Sequence, residues 1–291
     1  MAKRKVAIIT DSTTGLPEAW LRENQIHVIP LNVHWSGQTL LDNVDITVDE
    51  FYTRLQSAKE LPTTSQPSAG AFLQLFRDVA ETAESIVCIF ISGDLSGTVV
   101  SAHAARDLFE NQIPVEIVDT RSASLGEAII VSAAARAAAL GKDHKEVAAI
   151  AEAVANQLRV LFVVDTLEYL HKGGRIGGAK RFVGSVLAIK PILQLRDGKV
   201  EPLASVRTKR KAVDAMLQTV REETMGAPAL HICVGHAAAR EEGEQLAQRI
   251  CEELRPKELL FNELSPVIGT HTGPGTLGVA FFDAAFLPEI A

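Results

Sequence analysis

Cysteine is scarce in this 291-residue chain. Cys88, Cys233 and Cys251 form an odd set with no CxxC pair and no histidine at metal-ligand spacing, which argues against a disulfide framework and a thiolate metal centre. Cys88 and Cys233 fall inside apolar strand patterns, the ordinary setting of a buried free thiol. Long hydrophobic runs are missing too. The first, Val6–Ile9, is followed at once by Asp11. That is too short for a signal-peptide core, so the basic head "MAKRK" reads as the approach to a strand. No run approaches the length of a membrane span. The expectation is a reduced, cytoplasmic protein with no stable membrane insertion. A net charge of -7 gives no general attraction to nucleic acid. His27, His34, His231, His236 and His271 show no HxxxH spacing, so no metal site is expected. A complete nucleotide loop is also lacking: "GRIGGAKR" carries Ala179 in place of its second glycine and Arg181 in place of Ser or Thr.

What is present is a globular composition, 47% hydrophobic and 22% charged, with ample material for a core. Short β-rich runs at Val6–Thr10, Ile26–Trp35, Ile86–Ile91 and Val115–Asp119 alternate with helical patterns. Those helices span Pro17–Glu23, Val48–Ala58, Pro67–Ala83, Gly97–Asn111 and Ser124–Leu140. Nearly all-apolar strands alternating with helices indicate a parallel sheet covered on both faces. A further helix, Lys145–Leu158, leads into the strand Val160–Asp165. The second half places a hairpin at Asp197-Gly198, then a helix (Lys209–Glu223), a strand (Ala229–His236), a helix (Ala238–Leu254), a strand near Glu258–Leu264 and a last strand "LGVAFF". The fold expected is α/β with two domains: an N-terminal parallel-sheet, Rossmann-like domain at 1–159 and a C-terminal α/β domain at 160–291, with a ligand between them.

Four loops of the first half are loaded with hydroxyls: Thr10–Pro17, Thr63–Ser68, Ser92–Thr98 and Asp119–Gly126. Each precedes a helix, and capping alone would explain one Ser or Thr in each. "TTSQPS" and "SGDLSGT" carry more than a cap needs. In an open α/β sheet such loops gather at the carboxyl ends of the strands, where ligands bind. In "SGDLSGT", Gly93 and Gly97 admit close approach of a ligand to the backbone. Ser96 and Thr98 stand where a helix begins, which suits an anion. With no cationic clamp, a carboxylate fits better than a triphosphate. Near the C-terminus, "GTHTGPGTLG" has no lysine and precedes a strand, so it is no phosphate cradle. Gly273, Pro274 and Gly275 are expected to turn tightly and aim His271 and Thr272 into the crevice. A stand-alone hydrolase or phosphotransferase acting on a small carboxylate, using Ser96 with His271, is the alternative. It lacks a visible orienting group and oxyanion site, and "GDLSG" is not a nucleophile elbow.

Seven motifs then occur in order: "TDSTTGLP", "TSQPS", "SGDLSGT", "DTRSASLG", "YLHKGGRI", "LAIKPIL" with "DGKVEPL" and "RTKRKA", and "HTGPGTLGV". Together they resemble the DegV family over essentially the whole chain, Thr10 to Val279. The resemblance implies a non-catalytic protein without cofactor that holds a long-chain fatty acid, palmitate- or oleate-like, between two domains. It implies presentation of the carboxylate to a separate ATP-binding fatty acid kinase subunit, which makes an acyl-phosphate for phospholipid synthesis. By motif position, Thr64 and Ser96 would hold the carboxylate, with Ser65, Ser92, Gly97, Thr98 and Thr272 around them and His271 near the head group. Arg175 and Arg207 would face the kinase, with Arg210 as the alternative to Arg207. Val99 and Val100 stand where the family carries an aromatic. For the acyl tail, the apolar stretches "SAAARAAAL" (Ser132–Leu140) and "RFVGSVLAI" (Arg181–Ile189) are candidates, each of which would serve equally as core.

Overall fold

The computed structural model of the chain describes residues 3–110, 113–182 and 189–287. Its first half runs β1 (Ala7–Asp11), α1 (Glu18–Glu23), β2 (His27–Ile29), β3 (Asn32–Trp35), β4 (Gln38–Leu41), α2 (Val48–Gln56), β5 (Thr63–Ser65), α3 (Ala69–Ala80), β6 (Ile86–Phe90), α4 (Thr98–Leu108), β7 (Val115–Asp119), α5 (Leu125–Ala139) and α6 (His144–Gln157). Strands β1 and β6 are buried at every residue, as their unbroken apolar runs require of strands covered on both faces. They form a parallel sheet in the order β2-β1-β6-β7. The winding reverses between β1 and β6, so the carboxyl ends of these two strands flank the crevice where α/β sheets take ligands. Helix starts follow the sequence closely. Thr47 with Glu50 and Asp143 with Glu146 form capping boxes for α2 and α6, and Gly141, at φ 80°, stops the helix before it.

The run Ile26–Trp35 is not one strand but two. Pro30 has no N–H to continue a ladder, and the chain turns there into a separate antiparallel sheet, β4-β3-β5. This small sheet registers Val33 against Thr64 and Asn32 against Ser65, which carries the "TTSQPS" segment, expected as a loop, into a strand.

The second half continues with β8 (Arg159–Val163), α7 (Glu168–Lys172), β9 (Lys190–Arg196), β10 (Lys199–Val206), α8 (Lys209–Glu223), β11 (Leu230–His236), α9 (Arg240–Leu254), β12 (Glu258–Glu263), α10 (Pro266–Thr272) and β13 (Leu277–Asp283). They build a mixed sheet in the order β10-β9-β8-β13-β11-β12. Its one parallel pair among the described residues is β11–β12, joined by α9. Asp197 and Gly198, both at positive φ (51° and 80°), make the two-residue β9–β10 turn, the conformation a type I′ hairpin needs.

Helix α5 lies between the two sheets. Its N-terminal Leu125 sits so close to β11 and β13 that a Cβ on Gly235 or Gly278 would come within 2.3 or 2.9 Å of it. Two hydroxyls at the carboxyl end of β1, Thr10 and Thr13, reach Glu127 on the same helix. Of the stretch Ser132–Leu140, a candidate acyl wall, Ala133, Ala134, Ala135 and Ala137 belong instead to this buried layer, packed in the common core, and Leu140 is exposed. Of the other candidate, Val183–Ala188 lie outside the described residues.

Candidate functional site

A cleft of about 880 Å³, its open mouth included, runs between the small antiparallel sheet, the carboxyl end of β6, the start of α5, the second sheet and α10. One end is polar. Pairing with Val33 presents Thr64 to the cleft, and its Oγ1 lies 2.7 Å from His271 Nε2. Ser65 is fixed alongside by His34 Nε2 at 2.8 Å and by Asn32, whose Nδ2 donates at 3.2 Å. Across the cleft, the turn at Ser92–Ser96 closes with backbone bonds from Leu95 and Ser96 to the Ser92 carbonyl. Ser96 Oγ is 2.9 Å from Thr98 Oγ1. Gly97 is the N-cap of α4 and provides no side-chain cap, so the first-turn N–H groups of this helix have no capping oxygen.

His271 rides on the last turn of α10. This short helix replaces the open loop expected at Gly269–Thr272. Glycine and threonine are weak helix formers, but Ser265 caps it and Pro266 occupies its first turn. Burial, and then the nearby Arg175 charge, push the His271 imidazole down to about 4. The ring is therefore neutral at pH 7. Its Nδ1 has no partner and lies against Gly173, where any Cβ would come within 2.2 Å of it. Arg175 is itself tied down: Nε donates to the Leu95 carbonyl at 3.1 Å and Nη1 to the Gly173 carbonyl at 2.7 Å. It thus links the α7 turn to the Leu95–Ser96 turn and places one fixed positive charge beside the hydroxyls.

The other end of the cleft is apolar, walled by Leu125, Val160, Phe162, Leu195, Val200 and Ile268. These come from a helix start, three strands and α10, far apart in sequence. Such an arrangement, a neutral hydroxyl head with one guanidinium and a long apolar body, suits an amphiphile with a single anionic group.

Thr64, Ser65, Ser96, His271, Thr272 and Arg175 all line the cleft. Ser92, Gly97 and Thr98 stand behind its wall. Ser92 is buried and donates to the Gly198 carbonyl at 2.9 Å, fastening the β9–β10 hairpin to the first half. Thr98 is buried beneath Ser96. Gly97 admits Gln66, which a Cβ would meet at 2.8 Å. Arg207 is exposed at the bend between β10 and α8, away from the lining. Three polar lining residues, Gln66, Ser124 and Thr276, lie in the marked motifs but are not among the expected site residues. Gln66 belongs to "TSQPS". Ser124 belongs to "DTRSASLG", adopts φ 50° and ψ -111°, and has a buried Oγ without a partner.

The hydroxyls of "TDSTTGLP" serve another purpose than a ligand. Thr10 Oγ1 donates to Glu127 at 2.9 Å, and Thr13 Oγ1 lies 2.6 Å from Asp11 and 2.7 Å from Glu127. Burial, opposed by these hydrogen bonds, raises both carboxyls, Glu127 well above its usual range. Thr120 likewise turns inward, to the Phe90 carbonyl. The Ser96–His271 pairing that a hydrolase would need is replaced by two separate pairs, Ser96 with Thr98 and His271 with Thr64. Among the described residues, no group of three or more His, Cys, Asp or Glu side chains could hold a metal ion. No described helix is long and apolar enough to cross a membrane.

A family model described as "Uncharacterised protein, DegV family" matches residues 5–284. A DegV domain-containing protein of Clostridium acetobutylicum is 37% identical over 284 residues, spanning 95% of this chain and 97% of its own length. Among solved structures, a DegV family protein from Thermus thermophilus, described as fatty acid-binding, matches with a TM-score of 0.91 at 36% identity, covering 96% of this chain and 99% of that one. A stearic acid-binding protein from Eubacterium ventriosum matches with a TM-score of 0.90 at 26% identity, covering 97% and 98%.

Proposed function

The chain belongs to the DegV family, and on that premise we propose that it is a cytoplasmic, non-catalytic carrier of a long-chain fatty acid, palmitate- or oleate-like. The observation that carries this reading is the cleft's division into a hydroxyl end, where Thr64 Oγ1 lies 2.7 Å from His271, and an apolar end walled by Leu125, Val160, Phe162, Leu195, Val200 and Ile268. The relatives from Thermus thermophilus and Eubacterium ventriosum, which share this architecture, are described as binding fatty acids.

In this reading the carboxylate sits between Thr64 and Ser96, with Ser65 and the first-turn N–H groups of α4 in support. Hydrogen bonds to an ionised oxygen are roughly twice as strong as neutral ones, so the head group needs no full ion pair. His271, neutral, offers one nitrogen to the head-group region. The tail supplies most of the affinity, at about 0.8 kcal/mol per buried methylene. A separate ATP-binding kinase subunit would then transfer a phosphoryl group to the exposed carboxylate oxygen and release ADP, leaving an acyl-phosphate for phospholipid synthesis. Arg175 and Arg207 are the cations proposed to meet that subunit.

Denaturing the purified protein and analysing its organic extract by mass spectrometry tests the carrier role: about one long-chain fatty acid per chain is expected. Ser96→Ala should lower fatty acid affinity with thermal stability unchanged, because Ser96 bonds one neighbouring hydroxyl at the cleft surface. An extract without fatty acid, together with no uptake of added palmitate or oleate, overturns the reading. With a partner kinase, His271→Ala should slow phosphoryl transfer more than it weakens binding. Equal transfer rates would remove His271 from the presentation step.

A further inference from the structure

A second cleft, sharing no lining residue with the first, lies between the β1–α1 connection, the β4–α2 connection and the carboxyl ends of β11 and β12. It measures about 1530 Å³ on the same basis. Gly15, at φ 63°, lets the β1–α1 turn press on β12: a Cβ there would come within 2.7 Å of the Glu263 carbonyl. The cleft thus occupies the carboxyl ends of parallel strands from both sheets, the position in which α/β folds hold ligands.

Buried polar atoms without a partner are rare in folded proteins and call for an explanation. Two residues with such an atom border this cleft. Asn262 is 2% exposed; its Nδ2 donates to the Thr14 carbonyl at 3.1 Å, while its Oδ1 has no partner. His236 is fully buried and its Nε2 has none. Asp42, also on this cleft, is buried and already partnered: Ser12 donates to its Oδ2 at 2.7 Å, and the Ser265 hydroxyl and the Val267 N–H also bond its carboxyl. Two other such residues, Ser124 and His271, line the acyl cleft. The second cleft therefore carries the same mark as the first.

Its charge is of the opposite kind. Glu18, Asp42, Asp49 and Glu263 line it against a single guanidinium, Arg240, whose contacts with Glu244 and Glu263 are long, at 3.6 and 3.9 Å. Burial holds the Glu263 carboxyl above its ordinary range. Arg240 opposes that shift and the Asp49 charge adds to it, so a cation placed between Asp49 and Glu263 relieves like-charge repulsion. The walls also offer apolar surface through Leu16, Leu21 and Phe261, with Val44, 64% exposed, at the rim.

We propose that this cleft is a second ligand site, specific for a small alkylammonium compound: its cationic head between Asp49, Glu263 and the Asn262 Oδ1, its short apolar body against Leu16, Leu21 and Phe261. The probe is butylammonium chloride, with sodium butyrate and sodium chloride at matched ionic strength as controls, followed by amide-shift mapping and calorimetry on the full chain. Saturable one-to-one binding of butylammonium that shifts the Asn262 and His236 amides, with neither control doing so, is the expected result. The Asp49→Asn/Glu263→Gln double variant should bind butylammonium at least tenfold more weakly, with fatty acid uptake equal to wild type as the check on folding. The proposal is overturned by non-saturable or absent shifts at those amides in the wild-type protein. It is equally overturned by butyrate or sodium chloride producing the same shifts, or by a folded double variant that binds as wild type does.

Discussion

The two clefts are made from the same architectural parts and select opposite chemistries. Each lies where parallel strands end and each draws walls from both sheets. The acyl cleft sets neutral hydroxyls and one pinned arginine at its polar end and keeps carboxylates away from it. The hydroxyl-rich segment "TDSTTGLP", none of which lines the acyl cleft, spends Thr10 and Thr13 on shielding Asp11 and Glu127 inside the core. In the second cleft Glu18 and Asp49 are exposed and Glu263 is partly so, while Asp42 alone is enclosed, by Ser12 and its neighbours. The charge of the ligand is thus decided less by which residues are acidic than by which acids the neighbouring hydroxyls and N–H groups enclose.

The largest effect that would break this contrast concerns Asp42. Burial raises its carboxyl to about 7; the Ser12 and Ser265 hydroxyls and the Val267 N–H oppose the rise, and Asp11 adds to it. A carboxyl raised on folding takes up a proton. Its stabilising contribution is therefore complete below about pH 4 and is lost as pH rises through about 7. Over that window the loss is on the order of 4 kcal/mol. Asp42→Asn cannot lose it, so unfolding curves should show the variant gaining on wild type from pH 4 to 7 and holding a constant difference above 8. Parallel curves would place the Asp42 carboxyl in ordinary solvent.

Next in size is Leu195→Asp. Leu195 is half-buried in the acyl wall, so the substitution should spare the fold while setting a charge beside the methylenes. Fatty acid affinity should fall about 100-fold or more, which titration with a fluorescent fatty acid would measure. An unchanged affinity would move the tail elsewhere. Smaller still is Thr64→Val, which keeps the β-branched shape and deletes the hydroxyl bonded to His271. Roughly tenfold weaker binding is expected from one charge-assisted bond, and an effect equal to that of Leu195→Asp would mean that the head group, not the tail, dominates. The smallest expected effect is a null one. With the imidazole held near 4, the His271 ring proton resonances should show no inflection between pH 5.5 and 8. A midpoint near 6.5 would show the ring to be solvated.

The polar half of the acyl cleft was largely legible in the sequence because its groups come in short, local clusters. "TSQPS" and "SGDLSGT" each announce a hydroxyl surplus at a helix start, and the structure sets Thr64, Ser65 and Ser96 on one cleft. The parallel sheet was legible for a similar reason: β1 and β6 are continuous apolar runs. The apolar half was not legible. Leu125, Val160, Leu195 and Ile268 each look like ordinary core in their own segment; the β8–β9 pairing sets Val160 opposite Leu195, and helix packing on the sheet brings Leu125 and Ile268 to the same cleft. Helix α10 was missed because Gly269, Thr270 and Thr272 have low helix propensity, overridden here by the Ser265 cap and by packing on α2, where a Cβ on Gly269 would strike the Tyr52 hydroxyl at 2.5 Å.

One consequence of α5 concerns truncation. Twelve of its 15 residues are buried, with Glu127 answering to the first sheet and Leu125 to the second. Cutting the chain after residue 159 would keep this helix and strip away the sheet that covers one side of it. The fragment would present a bare alanine-rich stripe to water and self-associate through it.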